Sequence, residues 1–251
     1  MTVNRASGSV SEITHAVRVD LATAFRAAVK MGWDEAVGNH FSAATSADGQ
    51  RFLLNPRWQH FSTIKASDLQ EWHVADAVAD HPNPPDPSAW CLHATVHAMV
   101  PHARVLLHVH PPYATALMAL QDPAIKPVDQ NTARFFERTV IDREYGGLAD
   151  DQREAVRVAQ LVARAPVVLM GNHGVMVSGE DVATAFDDLY FLERAARTLV
   201  LAYQTQQPLN VLSDAVARHT AAGWNAYAGA AYAHFEFLKS SLRREDPSLV
   251  E

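Results

Sequence analysis

The sequence predicts an α/β fold in three layers, with helices on both sides of a mainly antiparallel central sheet. Three observations carry that expectation. Residues 11–31 place Ile13, Val17, Leu21, Phe25 and Val29 at helical spacing. The middle of the chain holds short apolar or alternating runs at 38–45, 51–56, 104–110 and 166–173 that read as strands. Beyond residue 180 the apolar residues return to helical spacing.

Each element follows from local chemistry. The first helix ends near Gly32, and the alternating stretch 38–45 turns back through Ala47-Asp48-Gly49-Gln50 into the strand 51–56. Residues 63–72 read as a short turn of structure closing on a further strand. Four prolines between 80 and 87 make that segment a rigid loop. Ser88 is the expected N-cap of a helix running to Met99, which Pro101 stops. A helix over 112–120 begins with Pro112 in its first turn. Residues 127–141 are expected to be extended, and 150–163 helical. The segment 180–205 is a long amphipathic helix whose apolar side is core or subunit interface, and 213–244 forms one or two more. No repeat or linker divides the chain, so 1–251 is expected to be one domain. Residues 1–10 are expected to be flexible and 206–251 to be a helical C-terminal extension.

Bulk properties exclude several function classes. The formal charge of -7 argues against nucleic acid, because a phosphate backbone demands a basic face. No apolar stretch approaches the roughly 20 residues of a membrane span. Met1 to Ser11 lacks the apolar centre of a signal peptide. The single cysteine, Cys91, cannot form an internal disulfide. A cytoplasmic protein with a small-molecule substrate fits best, with neither nucleic acid nor membrane as partner.

The chemistry concentrates in histidines. His108 and His110 close the run Arg104-Val105-Leu106-Leu107-His108-Val109-His110, and strand residues i and i+2 point to one face. His173 closes a second such run, from Pro166. Two neighbouring strand ends delivering three imidazoles make a metal site with open coordination positions, as a catalytic metal needs. Gly171 and Gly174 are expected to supply backbone angles that other residues avoid. Asn172 and Gly174 shape the bend that presents His173.

Taken together, Gly38-Asn39-His40-Phe41-Ser42, His93-x-x-x-His97, His108-Val109-His110-Pro111 and Gly171-Asn172-His173-Gly174 stand in the order found in the class II aldolase/adducin family, which residues 15–205 resemble. The resemblance implies a class II aldolase-like α/β/α sandwich. It also implies a homotetramer with sites between subunits and one divalent metal ion per subunit on His108, His110 and His173. Zinc is the first expectation, with manganese, cobalt or iron as alternatives. Enzymes of the family make or break carbon–carbon bonds through metal-stabilised enolates, whereas adducin heads share the fold without a known reaction.

Departures from the family pattern narrow the substrate. Ala89, in Asp86-Pro87-Ser88-Ala89-Trp90, stands where the sugar-phosphate aldolases carry their proton-transferring acid, and Asp86 lies three residues upstream. The phosphate-holding turn aligns with Asn55-Pro56-Arg57-Trp58-Gln59, and the usual arginine is replaced by Ala44. An unphosphorylated hydroxy-carbonyl or aromatic hydroxy-carboxylate is therefore expected, cleaved by retro-aldol chemistry or decarboxylation. The alternatives are an adducin-like interaction protein without chemistry, and a metal-dependent epimerase or oxygenase.

With the usual acid missing, His93 and His97, four apart on one helical face, are candidates for proton transfer or else a core pair. Tyr113 is a second candidate donor or a structural tyrosine. Asn39, Ser42 and Ser88 are expected at the substrate. Arg134 is either a bidentate ligand for a substrate carboxylate or a surface arginine beside Phe135 and Phe136.

Overall fold

Alternation along β4 (Val105–Val109) sets the plan of the molecule. Val105, Leu107 and Val109 enter one hydrophobic core, while Leu106 enters a second on the opposite face. The computed structural model describes residues 10–147, 151–227 and 229–251, the first four of these through their backbone alone. Among them β4 is the centre of a seven-stranded sheet. Its other members are β1 (His40–Ala44), β2 (Arg51–Leu54), β3 (Gln70–His73), β5 (Thr139–Asp142), β6 (Val167–Met170) and β7 (Val175–Gly179), in the order β3-β2-β1-β4-β7-β6-β5.

The two faces take different helices. The larger core joins α1 (Val10–Lys30), α3 (Pro112–Met118), α6 (Val182–Gln204) and α8 (Gly229–Glu245) to Phe41, Leu53, Leu107, Leu169 and Val177 of the sheet. Stacked Phe25 and Phe41, with ring centroids 4.6 Å apart, lie at its centre with Phe61. Burying each such ring contributes about 1.5–3 kcal/mol. On the other face α2 (Pro87–Met99) and α5 (Gln152–Val162) cover Leu106, Val168, Met170 and Met176. No helix among the described residues is long and apolar enough to cross a membrane.

Strand direction gathers the functional ends. His40 pairs with His108, and β4 runs antiparallel to both β1 and β7. The start of β1, the end of β4 and the turn joining β6 to β7 therefore lie at one end of the sheet. Trp33, 4% exposed against Phe186 and Tyr190, anchors the loop that brings Glu35 to the same end.

Several expectations need correction. The sheet is mixed rather than mainly antiparallel, because β5 joins β6 in parallel beside the antiparallel pairings. Asp86, not Ser88, caps α2: its Oδ1 accepts from the N–H groups of Ser88 and Ala89, and Pro87 occupies the first helical position. Residues 127–141 are not extended throughout. Asp129 and Thr132 form a reciprocal cap that opens the short helix α4 (Gln130–Ala133), and only 139–142 enter the sheet. α3 stops at Met118, two residues early. The region 213–244 forms two helices, α7 (Asp214–Ala226) and α8. Flexibility was expected over 1–10; residues 1–9 lie outside the described residues, and residue 10 opens α1.

Arg134 is a structural cation and not a free substrate ligand. Its guanidinium donates to Asp187 Oδ2 at 2.7 Å and to Asp188 Oδ1 at 2.9 Å, both on α6. It packs against the rings of Phe191 and Trp224, at 4.6 and 5.1 Å from their centroids, and the two rings also touch each other. Trp224 belongs to α7 and donates its indole N–H to the Gln130 carbonyl, so this cluster fastens the C-terminal helices to the body. Removing one partner of a buried ion pair strands the others without compensation. Arg134→Ala should cost about 3–5 kcal/mol in urea unfolding; a loss below about 1 kcal/mol, the range of an exposed pair, would show that the cluster is not a fastening.

Candidate metal centre

Three imidazoles meet at the gathered end. His108 is the fourth residue of β4, His110 follows the strand, and His173 sits in the β6–β7 turn. Their ring centroids are 4.8 to 5.0 Å apart, close to an equilateral triangle. One nitrogen from each falls within 4.8 Å of the others. His173 comes from a hairpin turn and not from a strand neighbouring β4, since β7 lies between β4 and β6.

Glycine makes the approach feasible. A Cβ on Gly174 would lie 2.3 Å from His110 Cδ2 and 2.7 Å from the Val109 carbonyl oxygen. On Gly171 it would meet the Asp142 carbonyl at 2.9 Å. Both glycines serve close packing and not unusual angles; the left-handed residue of the turn is Asn172, at φ 55°. Its N–H donates to the Met118 carbonyl and that of Gly171 to Asp142, which fixes the turn.

Hydrogen bonds set the tautomers. A carbonyl can only accept, so the 3.0 Å contact between His108 Nδ1 and the Val175 oxygen places the proton on Nδ1. His110 Nδ1 lies 2.5 Å from Glu35 Oε2 and donates in the same way. In neutral rings both Nε2 atoms then carry lone pairs, and they stand 3.3 Å apart. Two facing lone pairs repel unless a cation lies between them. Burial pushes His108 well below the usual histidine range, and burial with the nearby His110 lowers His173 to about 4. The donor set therefore fits a borderline divalent ion with open positions.

Behind this centre lies a chain of buried polar side chains on the α2 face. His40 stacks on His108 at 4.9 Å between centroids, and its Nδ1 is 2.7 Å from His93 Nε2. His93 Nδ1 meets Ser42 Oγ at 2.5 Å, and Ser42 Oγ meets His97 Nε2 at 2.8 Å. His93 thus lies one ring behind His108, and His97 two groups further back, stacked on Phe52. Sequence reasoning passed over His40, although its alternation with Ser42 on β1 was a usable signal.

The remaining candidates divide. Asn39, left-handed at φ 68°, keeps both amide atoms buried with no hydrogen-bond partner. Ser88 donates its hydroxyl to Asp86 Oδ1 and is part of the helix cap. Tyr113 packs its ring against the larger core beneath Arg197, while Glu193 accepts the N–H groups of Tyr113 and Ala114 to cap α3. Among the described residues the Tyr113 ring makes no contact with those of the three histidines, whereas the half-exposed ring of Tyr145 lies 5.9 Å from that of His173. Arg157 holds its loop through the Glu144 carbonyl and Asp142, beside a cavity of about 520 Å³ lined by Glu144, Tyr145, Arg153 and Arg157. No sequence motif marked Tyr145.

Burial dominates the three histidines of this chain of buried groups as well, lowering His40 to about 4, His97 to about 3 and His93 well below its usual range. The Asp86 charge opposes part of this at His40. The unfolded chain binds these protons near pH 6.5 and the folded one does not, so stability falls as pH drops from about 6.5 towards 4. For metal-free protein each such histidine contributes a slope of up to about 1.4 kcal/mol per pH unit. Urea midpoints measured from pH 7 to 5 should fall steadily; a flat profile would mean the rings are charged when folded.

Comparison with known proteins gives the family and the fold. Residues 19–200 match the model for the Class II Aldolase and Adducin N-terminal domain. A provisionally named class 2 aldolase of Caulobacter vibrioides is 29% identical over 78% of this chain and 76% of its own length. Rat alpha-adducin is 26% identical over 68% of this chain, a match that spans only 23% of that protein. Among solved structures, an aldolase II superfamily protein from Pseudomonas syringae superposes with a TM-score of 0.86 at 25% identity, covering 97% of this chain and 100% of its own. An L-fuculose 1-phosphate aldolase from Glaciozyma antarctica gives 0.84 at 18%, covering 98% and 96%, and shares the fold. The chain belongs to the class II aldolase and adducin N-terminal domain family.

Proposed function

We propose that this protein is a divalent-metal-dependent carbon–carbon lyase acting on a small, unphosphorylated hydroxy-carbonyl or aromatic hydroxy-carboxylate by retro-aldol cleavage or decarboxylation. The observation that carries the reading is the pair of Nε2 atoms 3.3 Å apart on His108 and His110, with His173 completing the triangle. These three would hold the ion, zinc first. When bound, the ion supplies Lewis-acid stabilisation of the oxygen that gains charge as the bond breaks.

The chain's own residues supply the rest. The Val175 carbonyl and Glu35 orient two of the ligands. Asn39 offers an unpaired amide to substrate oxygens. Tyr145 carries its phenol beside His173 and takes the place of Tyr113 as the candidate proton carrier. His93 and His97 position His40 and do not touch substrate. Ala89 is 2% exposed within α2 and offers no acid; Ala44, buried at the end of β1, offers no phosphate contact. Ala44 supports an unphosphorylated substrate, and Ala89 leaves the proton to another group. We take the fold to be the three-layer α/β/α sandwich and the chain to be one domain. The working protein on this reading is a cytoplasmic homotetramer with sites between subunits.

A second reading, an adducin-like interaction protein without chemistry, is favoured by the adducin matches and by Ala89. Metal content decides between them. Purified protein should hold about one zinc, manganese, cobalt or iron ion per chain, and chelation should abolish cleavage or carbon dioxide release. Retention of both metal and turnover in His108→Ala would sink the lyase reading; a stable wild-type protein that takes up no metal would favour the adducin-like one. Gly174→Ala, whose new methyl collides with His110, should weaken metal binding about tenfold or more while the circular dichroism stays native. Unchanged affinity there would mean the turn does not hold His173 in place.

A further inference from the structure

We infer that Glu35 is a positioning residue for the metal centre, an outer carboxylate that holds His110 in its ligating tautomer and adds a negative charge behind it. This rests on the metal-centre reading above. The contact is Glu35 Oε2 to His110 Nδ1 at 2.5 Å, on the ring edge opposite the Nε2 that faces His108. A carboxylate there makes the ring a stronger electron donor and denies it the other tautomer. His108 receives only a neutral carbonyl on the same edge, from Val175, so Glu35 is the charged member of this supporting pair.

The loop around Glu35 is built to hold it. Trp33 is buried against Phe186 and Tyr190 two residues before it. The Glu35 carbonyl accepts from the Gly38 N–H, closing a turn, and Ala36 within that turn is left-handed at φ 50°. A left-handed alanine costs energy that the turn must repay. At the same time the Glu35 side chain is 63% exposed, so it contributes little to the core and can be exchanged without unfolding the protein. Its role is not to transfer a proton to substrate, because it meets the far edge of the ring and not the side that His108 and His173 face. It also differs from Asp86, whose charge reaches His40 but which is occupied as a helix cap, and from Asp142, which is near His173 but paired with Arg157.

Two variants separate charge from orientation. Glu35→Gln keeps an acceptor for Nδ1 but removes the charge; Glu35→Ala removes both. Zinc affinity is measured by competition with a chromophoric chelator for wild type, both variants and Glu137→Gln, an exposed carboxylate paired with Arg218. We expect affinity to fall about 10-fold in Glu35→Gln and up to about 100-fold in Glu35→Ala, with Glu137→Gln at the wild-type value. The cobalt-substituted absorption spectrum should shift in Glu35→Ala, a change that a purely structural residue would not produce. Affinities within twofold of wild type in both Glu35 variants, with wild type binding one ion, would overturn the inference. A wild type that binds no zinc, manganese, cobalt or iron would overturn the underlying metal reading instead.

Discussion

The backbone of the β6–β7 turn lies against the end of β4 so closely that no side chain fits at Gly174. That single contact ties together most of what the site requires. It brings His173 to a strand it does not pair with, presses the turn on His110, and leaves the His108 and His110 lone pairs facing one another. The sheet supplies the rigidity for this. β7 is hydrogen-bonded between β4 and β6, so the two elements that carry the histidines cannot drift independently. Covered on both faces, the sheet end keeps His108 out of water and therefore neutral.

Neutrality has a cost that the surroundings offset. An imidazole out of water loses its solvent hydrogen bonds, and here each of the deeply buried rings regains at least one partner or stacks on another ring. The polar chain from His40 to His97 is thus a satisfied network in an otherwise apolar layer. Networks of this kind specify a single packing more than they stabilise one. Asn39, the residue before His40, contrasts with that network: neither end of its buried amide has a hydrogen-bond partner.

Much of this was legible in the order of residues. Strand alternation gave His108 and His110 a common face without any structure, and the run before His173 marked its approach to the sheet. The long α6 helix was equally plain from its apolar spacing. Legibility failed where distant parts of the chain decide the outcome. Nothing local to Arg134 announces Asp187 and Asp188 some fifty positions later, and those two carboxylates turn a candidate ligand into a structural cation. Nothing local to Tyr113 shows that Glu193 will take its N–H. The cap of α2 was misassigned because Ser88 and Asp86 are both good capping residues and Pro87, competent at the first helical position, decides for Asp86. Glu35 and Tyr145 sit in loops whose course depends on anchors, Trp33 and Arg157, that only the folded chain supplies.

Ser42 stands between two imidazoles with one hydrogen to give. It points that hydrogen at His93 or at His97, never at both, and the ring it does not serve must supply the hydrogen for its own bond. The choice propagates: it decides which nitrogen of His93 is bare, and hence whether His40 gives or receives at Nδ1. Four side chains spread over β1 and α2 are thereby restricted to two collective arrangements of hydrogens, so an exchange of His97 by a residue with the opposite preference would be felt at the ring lying on His108.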